Sequence, residues 1–188
     1  MAFDFFKRKK KKEDERPDYD VTNLKVTDLR VGFTFDYDFK TWVVKEEYEY
    51  DWGDYEFTYE YRILSEDEEM FLSVEDDDGL VLTLSSRIKA ARLDPEIFDR
   101  IEDKGKPPRK IHHEGTAFFR ESESPGFYRD TAKQTREQSA EFVAWEYYDE
   151  SETQILTIEQ WDEDDFEVSI GKVIQEDEIS NLLPGEAL

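Results

Sequence analysis

The chain has 188 residues, no cysteine and a formal net charge of −24, set by 49 acidic and 25 basic side chains. That excludes a disulfide framework, a thiol nucleophile and a thiolate metal site, and the length suits one domain with a sizeable core. No run approaches the roughly 18 consecutive apolar residues of a spanning helix, and aromatics at 15% offset a hydrophobic content of only 37%.

Charge divides the chain unevenly. Residues 1–12 carry Lys7, Arg8, Lys9, Lys10, Lys11 and Lys12 against the single acid Asp4, and the remainder is heavily acidic. This reads as a basic arm on an acidic body. The body repels nucleic acid, so no nucleic-acid partner is expected. In the arm, Phe3, Phe5 and Phe6 precede the basic run. Rings enter a bilayer interface and each Lys or Arg near anionic lipid adds about 1 kcal/mol, so these nine residues predict contact with an anionic membrane surface. Residues 1–20 read as this tail, and residues 21–188 as one β domain. Ala2 stands where myristoylation needs glycine. Glu13-Asp14-Glu15 stands where a secretory signal would be apolar, so the expected location is cytoplasmic, at the inner membrane face. High acidity also suits a salt-rich proteome, with no partner involved.

The body alternates. Phe33, Phe35, Tyr37 and Phe39 interleave with polar residues and predict a first strand. From Thr41 to Leu64 a hairpin follows. Trp42, Val44, Tyr48, Tyr50 and Trp52 share one parity, interrupted by Glu46, and Asp51-Trp52-Gly53-Asp54 supplies the turn. Tyr55, Phe57, Tyr59, Tyr61 and Ile63 share the returning parity. Met70, Leu72 and Val74, an acidic turn at Asp76–Gly79, and Leu80 to Ile88 complete a meander. Asp94-Pro95 opens a short helix through Ile101, and Lys104–Pro108 breaks it. Strands resume over Lys110–Arg120, Gly126–Arg129, Ala140–Asp149, Gln154–Trp161 and Phe166–Ile174, with a helical turn expected at Glu178–Leu183. Apolar residues on both parities of Ala140–Asp149 predict a strand covered on both faces.

The expected fold is therefore all-β. About ten antiparallel strands form two meanders, arranged as a barrel or sandwich, with one short helix between the halves. The halves, about 21–92 and 108–184, echo one another in Tyr59-Glu60-Tyr61 and Trp145-Glu146-Tyr147. The alternating rings are expected to turn inward together, leaving the acids as a solvated coat.

No stretch carries a catalytic or cofactor motif. His112 and His113 are adjacent on a strand, point to opposite faces, and lack further ligands. Asp76-Asp77-Asp78-Gly79 lacks the spacing and distal glutamate of a calcium loop. No metal, no cofactor and no enzymatic activity are expected. The expected function is a non-enzymatic interaction module with an unidentified protein partner, held at the membrane by its tail. The alternative is a small-ligand-binding barrel, with Trp42, Glu46, Tyr48, Tyr50, Tyr59 and Tyr61 lining an aromatic cavity.

The Trp52-Gly53 turn before Tyr59-Glu60-Tyr61, Glu114-Gly115-Thr116-Ala117, and Trp145-Glu146-Tyr147 through Leu156-Thr157-Ile158-Glu159-Gln160-Trp161 resemble the bacterial domain of unknown function 4178. The resemblance runs from about Leu24 to Pro184. It transfers no activity or site, because that family has none established.

Overall fold

The alternation of rings and β-branched residues with acids and hydroxyls is realised as strands nearly throughout. The computed structural model describes residues 19–76 and 79–185. In chain order the strands are β1 (Thr34–Tyr37), β2 (Lys40–Gly53), β3 (Glu56–Leu64), β4 (Glu69–Asp76), β5 (Leu80–Ile88), β6 (Lys110–His113), β7 (Thr116–Asp130), β8 (Ala140–Asp149), β9 (Gln154–Asp162), β10 (Asp165–Ile174) and β11 (Ser180–Leu183). One helix, α1 (Glu96–Lys104), separates β5 from β6.

All eleven strands belong to one antiparallel sheet, and pairing of β2 with β7 closes it on itself. Eight strands (β2, β3, β4, β5, β10, β9, β8 and β7) form the ring. β1 and β11 branch from one side of β2, and β6 branches from β7. The two seams of the ring join corresponding strands, β2 with β7 and β5 with β10. Corresponding details repeat as well. Asp38-Phe39 and Glu114-Gly115 are both two-residue turns with positive φ at each residue, the geometry that matches strand twist. Six positions past each turn the register slips, at Lys45 in β2 and at Glu121 in β7. The residues before these slips pair with Ile63 and Tyr147 respectively. Register thus sets Tyr61 against Trp145, two places from the match that the Tyr-Glu-Tyr and Trp-Glu-Tyr triplets suggest.

These slips correct the expectation that the rings share one face. A bulge opposes two residues to one and switches the face that later side chains occupy. Trp42 and Val44, before the slip, pack with Tyr61, Ile63, Leu72 and Leu84 on the outer wall of the ring. Tyr48, Tyr50 and Trp52, after it, pack inside with Phe71, Tyr128, Phe142 and Trp161. The outer wall of the first half is sealed by Leu29, Phe33 and Phe35, that of the second by Ile97 and Ile101 of α1. Tyr61 and Tyr147, both buried, reach these covers through hydrogen bonds to the Leu29 and Pro108 carbonyls. β8 is covered on both faces as its sequence predicts, with Phe142 and Ala144 inward and Trp145 and Tyr147 outward.

Several boundaries differ from the sequence reading. Phe39 and Tyr55 are exposed turn tips, at φ of 60° and 74°, and lie outside the strands. Lys110–Arg120 is split by the Glu114-Gly115 turn. β7 runs unbroken through Pro125, because between Phe119 and Phe127 only β8 flanks it, and an open edge tolerates a residue without N–H. The expected C-terminal helical turn is instead strand β11, paired with β1. Asp77 and Asp78 of the acidic turn lie outside the described residues. α1 starts as predicted, with the Asp94 carboxylate accepting the Glu96 N–H at 3.0 Å, and ends at Gly105 in the left-handed region.

Candidate functional site

Because the apolar parity of most ring strands faces outward, the other parity lines the lumen. Every ring strand contributes to a cavity of about 330 Å³. Its wall includes Tyr50 and Trp52 from β2, Glu60 from β3, Glu75 from β4, Glu146 from β8 and Glu159 from β9, with Ser and Thr between them. A recess of about 20 Å³ adjoins it, reaching Phe71, Arg87 and Glu167. Eight-stranded barrels are at the size where the interior either fills with side chains or holds one small ligand. Here the aromatic cluster fills part of the interior and short hydroxyl side chains leave the rest open.

Three carboxylates surround one guanidinium in this lumen. Arg87 lies 2.8 Å from Glu167 and 3.6 Å from Glu60, and its guanidinium sits 4.3 Å from the centre of the Phe71 ring. The Tyr50 hydroxyl donates to Glu60 at 3.3 Å. No basic group comes within 4 Å of Glu159 among the described residues. Burial, reinforced by Glu60 and Glu167 and opposed by Arg87, pushes the Glu159 carboxyl up to about 8. Burial also raises Glu60, with Arg87 opposing. At the neighbouring level, Glu146 accepts a hydrogen bond from Ser122 at 3.0 Å, and burial raises its carboxyl, with the charge of Glu75 adding to the effect. A carboxyl group moved out of water and left short of countercharge favours its neutral form.

The seam that closes the ring has its own ionic clamp on the outer face. Glu49, 2% exposed, accepts from Arg129 at 2.8 Å and from Arg136 at 2.7 Å. Burial works against its charge, but the hydrogen bonds from Arg136 and Arg129 hold its carboxyl down to about 2. Asp130 ties down the following turn by accepting the Ala132 N–H at 3.0 Å.

Of the six residues read from the sequence as cavity-lining, Tyr50 lines it. Tyr48 shares its aromatic cluster. Glu46 lies beside Tyr48 but outside the cavity, bound by the Tyr48 hydroxyl and by Arg62 at 2.8 Å, which holds its carboxyl below the usual range. Trp42, Tyr59 and Tyr61 are on the opposite wall, where Trp42 donates to the Tyr37 carbonyl at 3.2 Å. The membrane-contact residues Phe3, Phe5, Phe6, Lys7, Arg8, Lys9, Lys10, Lys11 and Lys12 lie outside the described residues. His113 is buried and His112 exposed, and no cluster of three or more candidate metal ligands occurs among the described residues. Sequence reading missed Glu60, Glu75, Glu146 and Glu159. The available signal was their place on the parity opposite the rings, beside Ser and Thr; a solvent-facing parity has the same composition.

No helix among the described residues is long and apolar enough to cross a membrane. No solved structure matches the chain. An uncharacterized protein of Aquifex aeolicus (strain VF5) is 27% identical over 184 residues, covering 96% of this chain and 98% of its own length. The profile of the domain of unknown function DUF4178 matches residues 30–176, so the two meanders, the helix between them and the lumen they enclose fall within it, and the chain belongs to that family.

Proposed function

We propose that the protein is a small-ligand-binding barrel whose site is the lumen. The observation that carries this reading is the cavity of about 330 Å³, walled by all eight ring strands. Its size falls within the range typical of small-molecule sites, roughly 300–1,000 Å³. Its wall combines a rigid aromatic side, where Tyr50 and Trp52 stack with ring centres 5.7 Å apart, with convergent hydroxyls and carboxylates. Apolar bulk plus a few placed polar groups is what selects and orients a ligand.

The test uses the full chain and the neutral fluorophore N-phenyl-1-naphthylamine, whose emission rises on enclosure. Saturable one-to-one enhancement is expected. It should vanish in Thr157→Phe, which fills the lumen, provided that circular dichroism shows the variant folded. Enhancement that does not saturate, or that persists unchanged in the folded variant, overturns the reading.

The expectation of an interaction module at the membrane rests on residues 1–12 and is compatible with a ligand-binding body. A tail of this composition would hold the barrel at an anionic surface.

A further inference from the structure

The two halves treat their outermost strands differently. β1 and β6 are counterparts: each precedes a two-residue turn and then a long strand of the ring. Beyond β1 the sheet continues, because β11 pairs with it through Thr34 with Leu183 and Asp36 with Ser180. Beyond β6 it stops, and the backbone of Lys110–His113 has no partner on that side among the described residues. Exposure follows: Thr34 and Asp36 are half-buried, whereas Lys110 and His112 are exposed. The chain approaches both places alike. After β10 come a 3-10 turn (Glu176–Glu178), extended Ile179 and β11; after β5 come a 3-10 turn (Ala90–Arg92) and extended Leu93. There Asp94-Pro95 opens α1, and proline has no N–H to give a neighbouring strand. The chain thus leaves as a helix where its counterpart runs on as a strand.

The open edge also differs in charge from the rest of the body. Residues 104–113 hold Lys104, Lys106, Arg109, Lys110 and both histidines, with no acid, in a chain of net charge −24. The ion pairs nearby, Arg92 with Glu114 and Arg120 with Glu123, leave these four exposed cations unpaired among the described residues. A lysine on an edge strand discourages neutral and basic strands, and it attracts an acidic one. The sign argues against occupants from this chain. Residues 7–12 of the tail are basic, and a second copy offering its own β6 brings the same charge. The acidic residues 176–183 of a second copy lead into a strand that β1 already holds. The two faces of an added strand meet different surroundings. Ile111 is buried with Ile97 and Ile101 of α1, so side chains on that face reach apolar ground. On β1, Leu182 of the added strand packs in this way against the first-half core. Side chains on the other face stand beside Lys110 and His112. Successive strand residues point to opposite faces, so the sequence that fits alternates apolar with acidic residues.

We infer that the open edge of β6 takes an extended segment of another protein, alternating acidic with apolar residues, as a further strand of the sheet. Backbone hydrogen bonds supply the attachment and side chains the choice of partner. An edge of four residues makes a small contact, so the complex is transient and weakened by salt. The lumen plays no part in it.

The experiment follows the fluorescence anisotropy of a labelled hexapeptide alternating glutamate with leucine, titrated with the full chain at low salt. Saturable binding is expected, and a peptide with lysine for glutamate should bind at least about tenfold more weakly. The double variant Arg109→Glu, Lys110→Glu, shown folded by its thermal melt, should reverse this preference. N-methylation of the peptide at its leucines, or instead at its glutamates, blocks one edge of the strand at a time. One of these two peptides should lose binding and the other keep it. Binding that survives in both, or is lost in both, overturns strand addition, and so does the lack of saturable binding below about 1 mM. An unchanged preference in the folded variant puts the contact elsewhere and overturns the proposal. Sedimentation velocity of the chain alone tests the remaining occupant: self-association that the variant abolishes makes a second copy the partner and overturns the proposal too.

Discussion

Glu159→Gln should make the protein less sensitive to rising pH. The folded carboxyl is held up to about 8 from an ordinary value of 4.5, first by burial and then by Glu60 and Glu167. Between those two values the folded chain keeps a proton that the unfolded chain has released. The sign follows from linkage. Because the folded value is raised, the stabilising contribution is complete below about 4.5 and is lost as pH climbs toward about 8. One such proton gives a slope of at most ~1.4 kcal/mol per pH unit, and solvent reaching the cavity lowers that ceiling. Glu60 and Glu146 are raised too and act in the same direction. Glu49, held down to about 2, titrates below this window and cancels from the comparison. The assay is urea denaturation of both proteins at pH 5, 6, 7 and 8 at constant ionic strength. Wild-type stability should fall across the series, and the variant's should fall less, with the gap widening in its favour toward pH 8. Parallel curves would refute the claim that Glu159 is enclosed and short of countercharge.

Two further outcomes follow from the seam and the tail. Arg129→Met leaves Glu49 with Arg136 and the Tyr59 hydroxyl on a closure of only four residue pairs, Tyr48–Asp51 with Phe127–Asp130. Removing one partner of a buried ion pair costs on the order of 3–5 kcal/mol. The remaining arginine reduces that loss, so a drop of about 1–3 kcal/mol is expected at pH 7 and read from urea midpoints. Because the folded value of Glu49 is lowered, this penalty should shrink as pH falls from 4.5 toward 2. Deletion of residues 1–12 should abolish co-sedimentation with anionic vesicles at low salt and leave the melting temperature unchanged. Undiminished co-sedimentation would remove the tail from that role.

What the amino-acid order determined by itself is local. Period two in Trp42–Ile63 and its later counterparts dictates strands, because successive strand side chains point to opposite faces. Asp94-Pro95 and Gly105 mark the helix, because one offers a side-chain acceptor and the other accepts a left-handed backbone. Only the tertiary structure decided which face became the inside. Trp42 and Tyr50 share a parity and were read as neighbours, yet the register slip at Lys45 sends one to the outer wall and the other to the lumen. No residue type announces a slip of that kind, since it arises from how β2 must pair with β3 while also reaching β7. The same closure turned Glu60, Glu146 and Glu159 from an apparent solvated coat into the lining of a cavity. An acid's alternation with apolar neighbours says that it faces away from one layer, and only the path of the whole sheet settles whether water or another strand lies on the other side.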